Sequence, residues 1–117
     1  MHNYKELKVW QEAIELTQSM YKVSTSFPSE ERFGLTSQIR RAAVSVPSNI
    51  SEGSGRNSIG EFKQFLGIAN GSLSELETQL IIAQKLDFVK EKEKLEGLFD
   101  KIDHIQKMIY KLKFRLD

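Results

Sequence analysis

Four side chains near the C-terminus, His104, Lys107, Lys111 and Arg115, follow one another at spacings of three, four and four. On a helix that spacing places them on one side as a basic ridge about three turns long. The chemistry such a ridge offers is contact with phosphates, salt-sensitive and with little sequence readout, and it grows when an oligomer repeats it. A solvated helix face carries the same signature, and Asp100 and Asp103 dilute this one. Arg40, Arg41 and Arg56 are the arginines expected to assist. From Lys101 to Arg115, five basic residues stand against the single acid Asp103, so positive charge is concentrated there although the whole chain carries only +1.

Catalysis has few tools. The histidines are His2, near the start, and His104, whose neighbour Asp103 points about 100° away on a helix. Without cysteine there is no thiolate nucleophile, no disulfide and no thiolate metal site, a composition that suits the cytoplasm. Nucleophile-elbow, P-loop, HExxH and Glu-x-x-His patterns are absent, and Gly53-Ser54-Gly55 is a helix terminus, too short for a phosphate loop. The expectation is a non-enzymatic protein with no catalytic residue, no cofactor and no metal.

Two further constellations invite a role. Gly67 and Gly71, continued by Ser74 and Thr78, form a small-residue face opposite the apolar stripe of their helix. An interior helical glycine costs about 1 kcal/mol relative to alanine, so the face is either a subunit contact or a set of tolerated surface positions. A polar stripe of Gln38, Arg41, Ser45, Ser48 and Glu52, beside Asn49, flanks Pro47. It is either a ligand site or, preferably, a half-buried hydrogen-bond network in which the serines and Asn49 answer the backbone groups freed by the proline.

The elements that must position these groups follow from periodicity. Two prolines and seven glycines punctuate one domain, 1–117, with helices expected at about 5–25, 30–54, 59–86 and 91–115. The first carries Val9, Ala13, Leu16, Met20 and Val23, with a second stripe of Leu7, Trp10, Ile14 and Tyr21. So wide an apolar arc can meet its own bundle and another subunit, and Trp10 is assigned to the latter. Ser29 is expected to cap the second helix, with Glu30 and Glu31 at its positive end; Leu35, Ile39, Ala42, Ala43, Val46 and Ile50 form its buried side, and Pro47 predicts a kink near 43–47. Ser58 and Glu61 read as a reciprocal capping box before the stripe Phe62, Leu66, Ala69, Leu73, Leu76, Leu80, Ala83. The last stripe is Leu95, Leu98, Ile102, Ile105, Ile109, Leu112, Leu116. Long helices joined by short loops predict an all-α, antiparallel, up-down-up-down four-helix bundle.

Hydrophobic residues at 39% and charged residues at 28% describe a chain that folds. No run approaches the roughly 20 apolar residues of a membrane span, and the first residues lack the apolar core of a signal peptide.

Residues 35–56, LTSQIRRAAVSVPSNISEGSGR, together with Leu7-Lys-Val-Trp10-Gln, Phe27-Pro28 and Ala69-Asn-Gly-Ser-Leu-Ser-Glu75, resemble the bacterial four helix bundle family, also called the 23S rRNA intervening-sequence proteins. The family motif is matched at Gln38, Arg40, Arg41, Pro47, Asn49, Glu52, Gly53 and Arg56, with Ser51 where alanine is common. The resemblance implies a four-helix protomer in a ring-like homopentamer that binds nucleic acid or a nucleic-acid enzyme. Relatives among the accessory variability proteins of diversity-generating retroelements are thought to engage nucleic acid and a reverse transcriptase. Two functional classes therefore stand: a module contacting RNA or DNA, and a protein-binding or purely structural scaffold.

Overall fold

The computed structural model describes residues 3–116, and His2 lies outside them. Four helices account for most of the chain: α1 (Lys8–Ser24), α2 (Leu35–Ser54), α3 (Ile59–Lys85) and α4 (Lys92–Arg115). Among the described residues the regular structure is entirely helical, with 3-10 turns at Tyr4–Glu6 and Ser29–Glu31. At about 1.5 Å per residue α3 is about 40 Å long, which matches the longest extent of the protein, 43 Å. No described helix is long and apolar enough to cross a membrane.

The apolar stripes meet in one core. Val9, Ala13, Leu16, Met20 and Val23 of α1 and every residue of the α2 and α3 stripes are buried, as are Leu95, Leu98, Ile102, Ile105 and Ile109 of α4; Leu112 and Leu116 are only partly covered, and of the second α1 stripe Leu7, Trp10 and Ile14 are half-buried and Tyr21 is exposed. Phe27 and Val89 join them from the connecting segments, and the Phe27 ring tilts against Phe88 with centroids 5.6 Å apart. Each helix touches two others: α1 packs on α2 and α4, and α3 packs on α2 and α4.

Contact between α2 and α3 is the tightest. A Cβ on Gly53 would lie 2.6 Å from the Phe65 Cβ, so no larger residue fits that crossing without moving a helix. Further along the same seam the hydroxyls of Ser45 and Ser72 share a 2.8 Å hydrogen bond.

Helix ends depart from expectation in two places. Ser29 opens a 3-10 turn instead of capping α2, which begins at Leu35, and the N-terminal N–H of Leu35 donates to Glu31 Oε1 at 3.0 Å. A carboxylate thus sits at the positive helix end, supplied from a turn that the periodicity had merged with the helix. Ser58 caps α3 by accepting from the Glu61 N–H at 3.2 Å, yet the capping box is not reciprocal: the Glu61 carboxylate accepts from the Ser58 hydroxyl, not from its backbone. At the other end of α3, Asp87 takes the left-handed conformation (φ 59°), and the N–H groups of Asp87 and Phe88 close back on the carbonyls of Gln84 and Ala83. This is a Schellman stop with aspartate in the slot usually held by glycine.

α2 continues unbroken through Pro47. The ring deprives the Ala43 carbonyl of its donor four residues on. The replacement comes from another helix: Thr17 Oγ1 of α1 lies 3.1 Å from Ala43 O and 2.8 Å from Ala13 O, sharing its proton between them. Asn49 Nδ2 instead donates to the carbonyl and hydroxyl of Ser45, at 2.8 and 2.9 Å.

α4 is held against α1 by charge as well as by its stripe. Lys101 Nζ lies 2.7 Å from Glu12 Oε1 and 3.9 Å from Glu15 Oε1, and His104 Nε2 is 3.9 Å from Glu12 Oε1. The hydrogen bond from Lys101 holds the Glu12 carboxyl below its ordinary 4.5, against the opposing effect of partial burial.

Two predictions follow from these contacts. Thr17→Val keeps the shape and leaves the Ala43 carbonyl without a donor, so thermal unfolding should show a loss of about 1–3 kcal/mol with helix content unchanged. Because Glu12 is depressed in the folded state, its contribution is fully present above the ordinary pKa and disappears as pH falls through the lowered one. Denaturant unfolding of the native protein and Glu12→Gln should therefore differ by a constant amount, about 1 kcal/mol, near neutrality, and the difference should close on acidification below pH 4.5.

Candidate nucleic-acid interface

The ridge anticipated on the last helix divides in the structure. Its upper end is occupied: His104 leans toward Glu12 of α1, and Lys107 pairs with Asp103 one turn back at 2.9 Å. Lower down, Lys111, Lys113 and Arg115 have no carboxylate at ion-pair distance among the described residues. Lys113 turns toward α3, where its Nζ would be 3.8 Å from a Cβ on Gly67.

Aromatic side chains interleave with these cations. Tyr110 is 71% exposed and Phe114 75% exposed, and helical spacing puts both on the side shared by Lys107 and Lys111. Shallow crevices of about 360 Å³ and 260 Å³ run along this strip, the first reaching Asn70 and Gln106, the second lined by Tyr110, Lys111, Phe114 and Arg115. Cations that track a backbone beside rings that accept bases are the parts of a surface for single-stranded nucleic acid. Charge pattern alone does not single out these rings; the signal for them in the sequence is their helical spacing from Lys107 and Lys111.

The assisting arginines stand elsewhere. Arg40 and Arg41 lie on α2, whose neighbouring helices are α1 and α3, not α4. Arg40 is locked: its Nε donates to Ser24 Oγ at 2.8 Å, its Nη2 donates to Tyr21 O at 3.3 Å, and its guanidinium lies 4.8 Å over the Tyr21 ring. Arg56, just past α2, bonds Glu52 at 2.9 Å and covers the Phe65 ring at 4.8 Å, clasping the start of α3.

Of the small-residue face, Ser74 Oγ accepts from Gln106 Nε2 of α4 at 3.2 Å, and Thr78 Oγ1 donates to Ser74 O at 2.9 Å. Gly71 has nothing within 4 Å of where its Cβ would be. Trp10 is half-buried and meets the edge of Tyr4, with centroids 5.3 Å apart. On the polar stripe, Ser45, Asn49 and Glu52 have partners within the chain, Gln38 and Ser48 are exposed, and Gly53 and Pro47 are buried. Buried Gln79 keeps an Oε1 that finds no hydrogen-bond partner. Among the described residues no three His, Asp or Glu side chains gather as a metal cluster would require.

Comparison with solved structures gives a crystal structure of a protein with unknown function from the S23 ribosomal protein family of Bacteroides thetaiotaomicron. The match has a TM-score of 0.81 at 22% identity, covering 90% of this chain and 97% of that one. The likeness at that identity is one of fold. No curated protein matches the chain. The family model for the 23S rRNA-intervening sequence protein matches residues 5–111, and with its stripes, its Pro47 segment and its four helices the chain belongs to that family.

Proposed function

We propose that this protein is a non-enzymatic, oligomeric bundle, its helices running up-down-up-down, that engages RNA or DNA phosphates through the C-terminal half of α4. The observation that carries the reading is the interleaving of exposed Lys107, Lys111 and Arg115 with Tyr110 and Phe114 on one strip. Bare lysines on a helix are ordinary solvated surface. Lysines beside large exposed rings gain from a polyanion whose bases stack, since the rings leave water as the charges are neutralised. The family name, with its reference to 23S rRNA, agrees in kind with such a partner.

The contact pairs support the helix directions. Thr17 meets Ala43 while Ser24 meets Arg40; Ser45 meets Ser72 while Gly53 meets Phe62; Ser74 meets Gln106 while Gly67 meets Lys113. In each pair the residue numbers rise on one helix as they fall on its neighbour. A homopentameric ring, implied by the resemblance, would repeat the α4 strip once per protomer and multiply its charge, and a reverse transcriptase or another protein on the same nucleic acid is the partner class the resemblance adds. The cysteine-free composition suits action in the cytoplasm.

A second reading, a scaffold without nucleic-acid contact, draws on α3. Gly71 is open, and on the same side of α3 Ile68, one turn before it, and Ile82, about three turns beyond it, are 47% and 42% exposed, a face suited to another copy of the chain.

Neutralising Lys107, Lys111 and Arg115 together to glutamine should weaken binding to a structured RNA and lower the slope of log affinity against log salt by about 3, measured by fluorescence anisotropy. An unchanged affinity and slope would remove α4 from the contact. For the scaffold, Gly71→Leu should reduce the oligomeric mass in sedimentation while helix content stays high; an unchanged mass places the subunit contact elsewhere.

A further inference from the structure

A further crevice, about 490 Å³, opens at the end of the protein where α1 gives way to α2. Tyr21, Arg32, Phe33, Arg40, Arg41 and Val44 line it. Phe33 is 89% exposed, the highest value among the exposed large apolar side chains. It is not on a loose loop: the Gly34 N–H bonds Glu31 O at 2.9 Å, the Arg32 N–H bonds Ser29 O at 3.1 Å, and Leu35 is tied to the Glu31 side chain at 3.0 Å. An ordered backbone therefore holds an aromatic ring out in water.

Three guanidiniums share the crevice with that ring. Arg32 lies 5.4 Å from the Phe33 centroid, Arg40 is fixed by Ser24 and Tyr21, and Arg41 is exposed. None of the three has a carboxylate at ion-pair distance among the described residues. The acids close by are accounted for. Glu31 is spent on the N-terminus of α2, Glu30 is exposed on the 3-10 turn, and Glu75 of α3 shares a neighbouring crevice with Arg41 without forming an ion pair. Like charges left unpaired on one face repel, and a ligand bringing several anionic oxygens removes that cost while the planar forks of arginine match phosphate geometry.

We infer that this crevice is a second, independent contact for single-stranded nucleic acid, in which an unstacked base lies on Phe33 and the adjoining phosphates sit on Arg40 and Arg41. The inference rests on the reading that nucleic acid is the partner, and adds to it a preference for single strands. Duplex bases are stacked on one another and offer Phe33 no face, whereas a single strand supplies one at low cost. The site is separate from the α4 strip: its lining comes from α1, α2 and the turn between them, and α2 has α1 and α3 as its neighbouring helices.

The test is anisotropy of the full chain with a labelled single-stranded oligonucleotide and with the duplex of the same sequence, comparing the native protein with Phe33→Ala, Phe33→Trp, Arg41→Gln and the α4 triple variant. Phe33→Ala should raise the single-strand Kd about tenfold and leave the duplex Kd within about twofold. Phe33→Trp should restore single-strand binding, and Arg41→Gln should lower the single-strand salt slope by about 1. The substituted side chains are exposed, and circular dichroism checks that the helices persist. Single-strand affinity unaffected by Phe33→Ala overturns the inference, and does so while leaving the α4 reading intact if the triple variant weakens binding. The reverse pattern sinks the α4 strip and keeps this site. No binding by the native protein to either probe ends both. Loss of oligomeric mass in Phe33→Ala with binding unchanged would also overturn it, assigning the crevice to contact between copies.

Discussion

Everything in this protein is arranged around the seam where α2 and α3 approach each other over small side chains. Gly53 against Phe62 and Phe65 sets the approach at one end, and the Ser45–Ser72 hydroxyl pair continues it. Ala42, Ala43 and Ala69 are buried core positions of small volume on these two helices, while Phe62 and the leucines of α3 fill more of the core. α1 then packs on α2, α4 on α3, and the two close the bundle by packing on each other. α2 would be a poor partner in that seam if its proline left a carbonyl bare, and the Thr17 hydroxyl of α1 resolves this from outside the helix.

The placement of α4 has a different physical character. Its isoleucines and leucines bury one face, but its rotation is fixed by polar contacts at the borders: Lys101 to Glu12 on the α1 side, Gln106 to Ser74 on the α3 side. These settle which cations are consumed. Lys101 belongs to the bundle, Lys107 is shared with Asp103, and the charge available to a partner is concentrated at the lower end of the helix with Tyr110 and Phe114. A net charge of +1 is thus distributed so unevenly that it describes no part of the surface.

Glycine 71 and glycine 67 illustrate how one pattern divides on folding. Both lie on the face opposite the stripe of α3, yet Lys113 of α4 reaches one and nothing reaches the other. The polar stripe of α2 divides in the same way, with Ser45 and Asn49 turned into the seam and Arg41 left outside, at the margin of the crevice around Phe33.

The sequence by itself determined the four helices and their core, because apolar residues recurring every three or four positions have one stable arrangement, buried against one another, and each full stripe of α1, α2 and α3 was legible in that way. It also carried the family, through the segment around Pro47. Only the tertiary structure decided that α2 starts at Leu35 after a separate turn, that Asp87 ends α3, and that Thr17 serves Ala43, since these are hydrogen bonds to groups whose neighbours are set by packing. The same holds for the candidate sites. Residue type named the cations, but which of them meets a carboxylate, and which aromatic rings remain in water beside them, depends on the distance to a neighbouring helix, and helical periodicity within one segment contains no information about that distance.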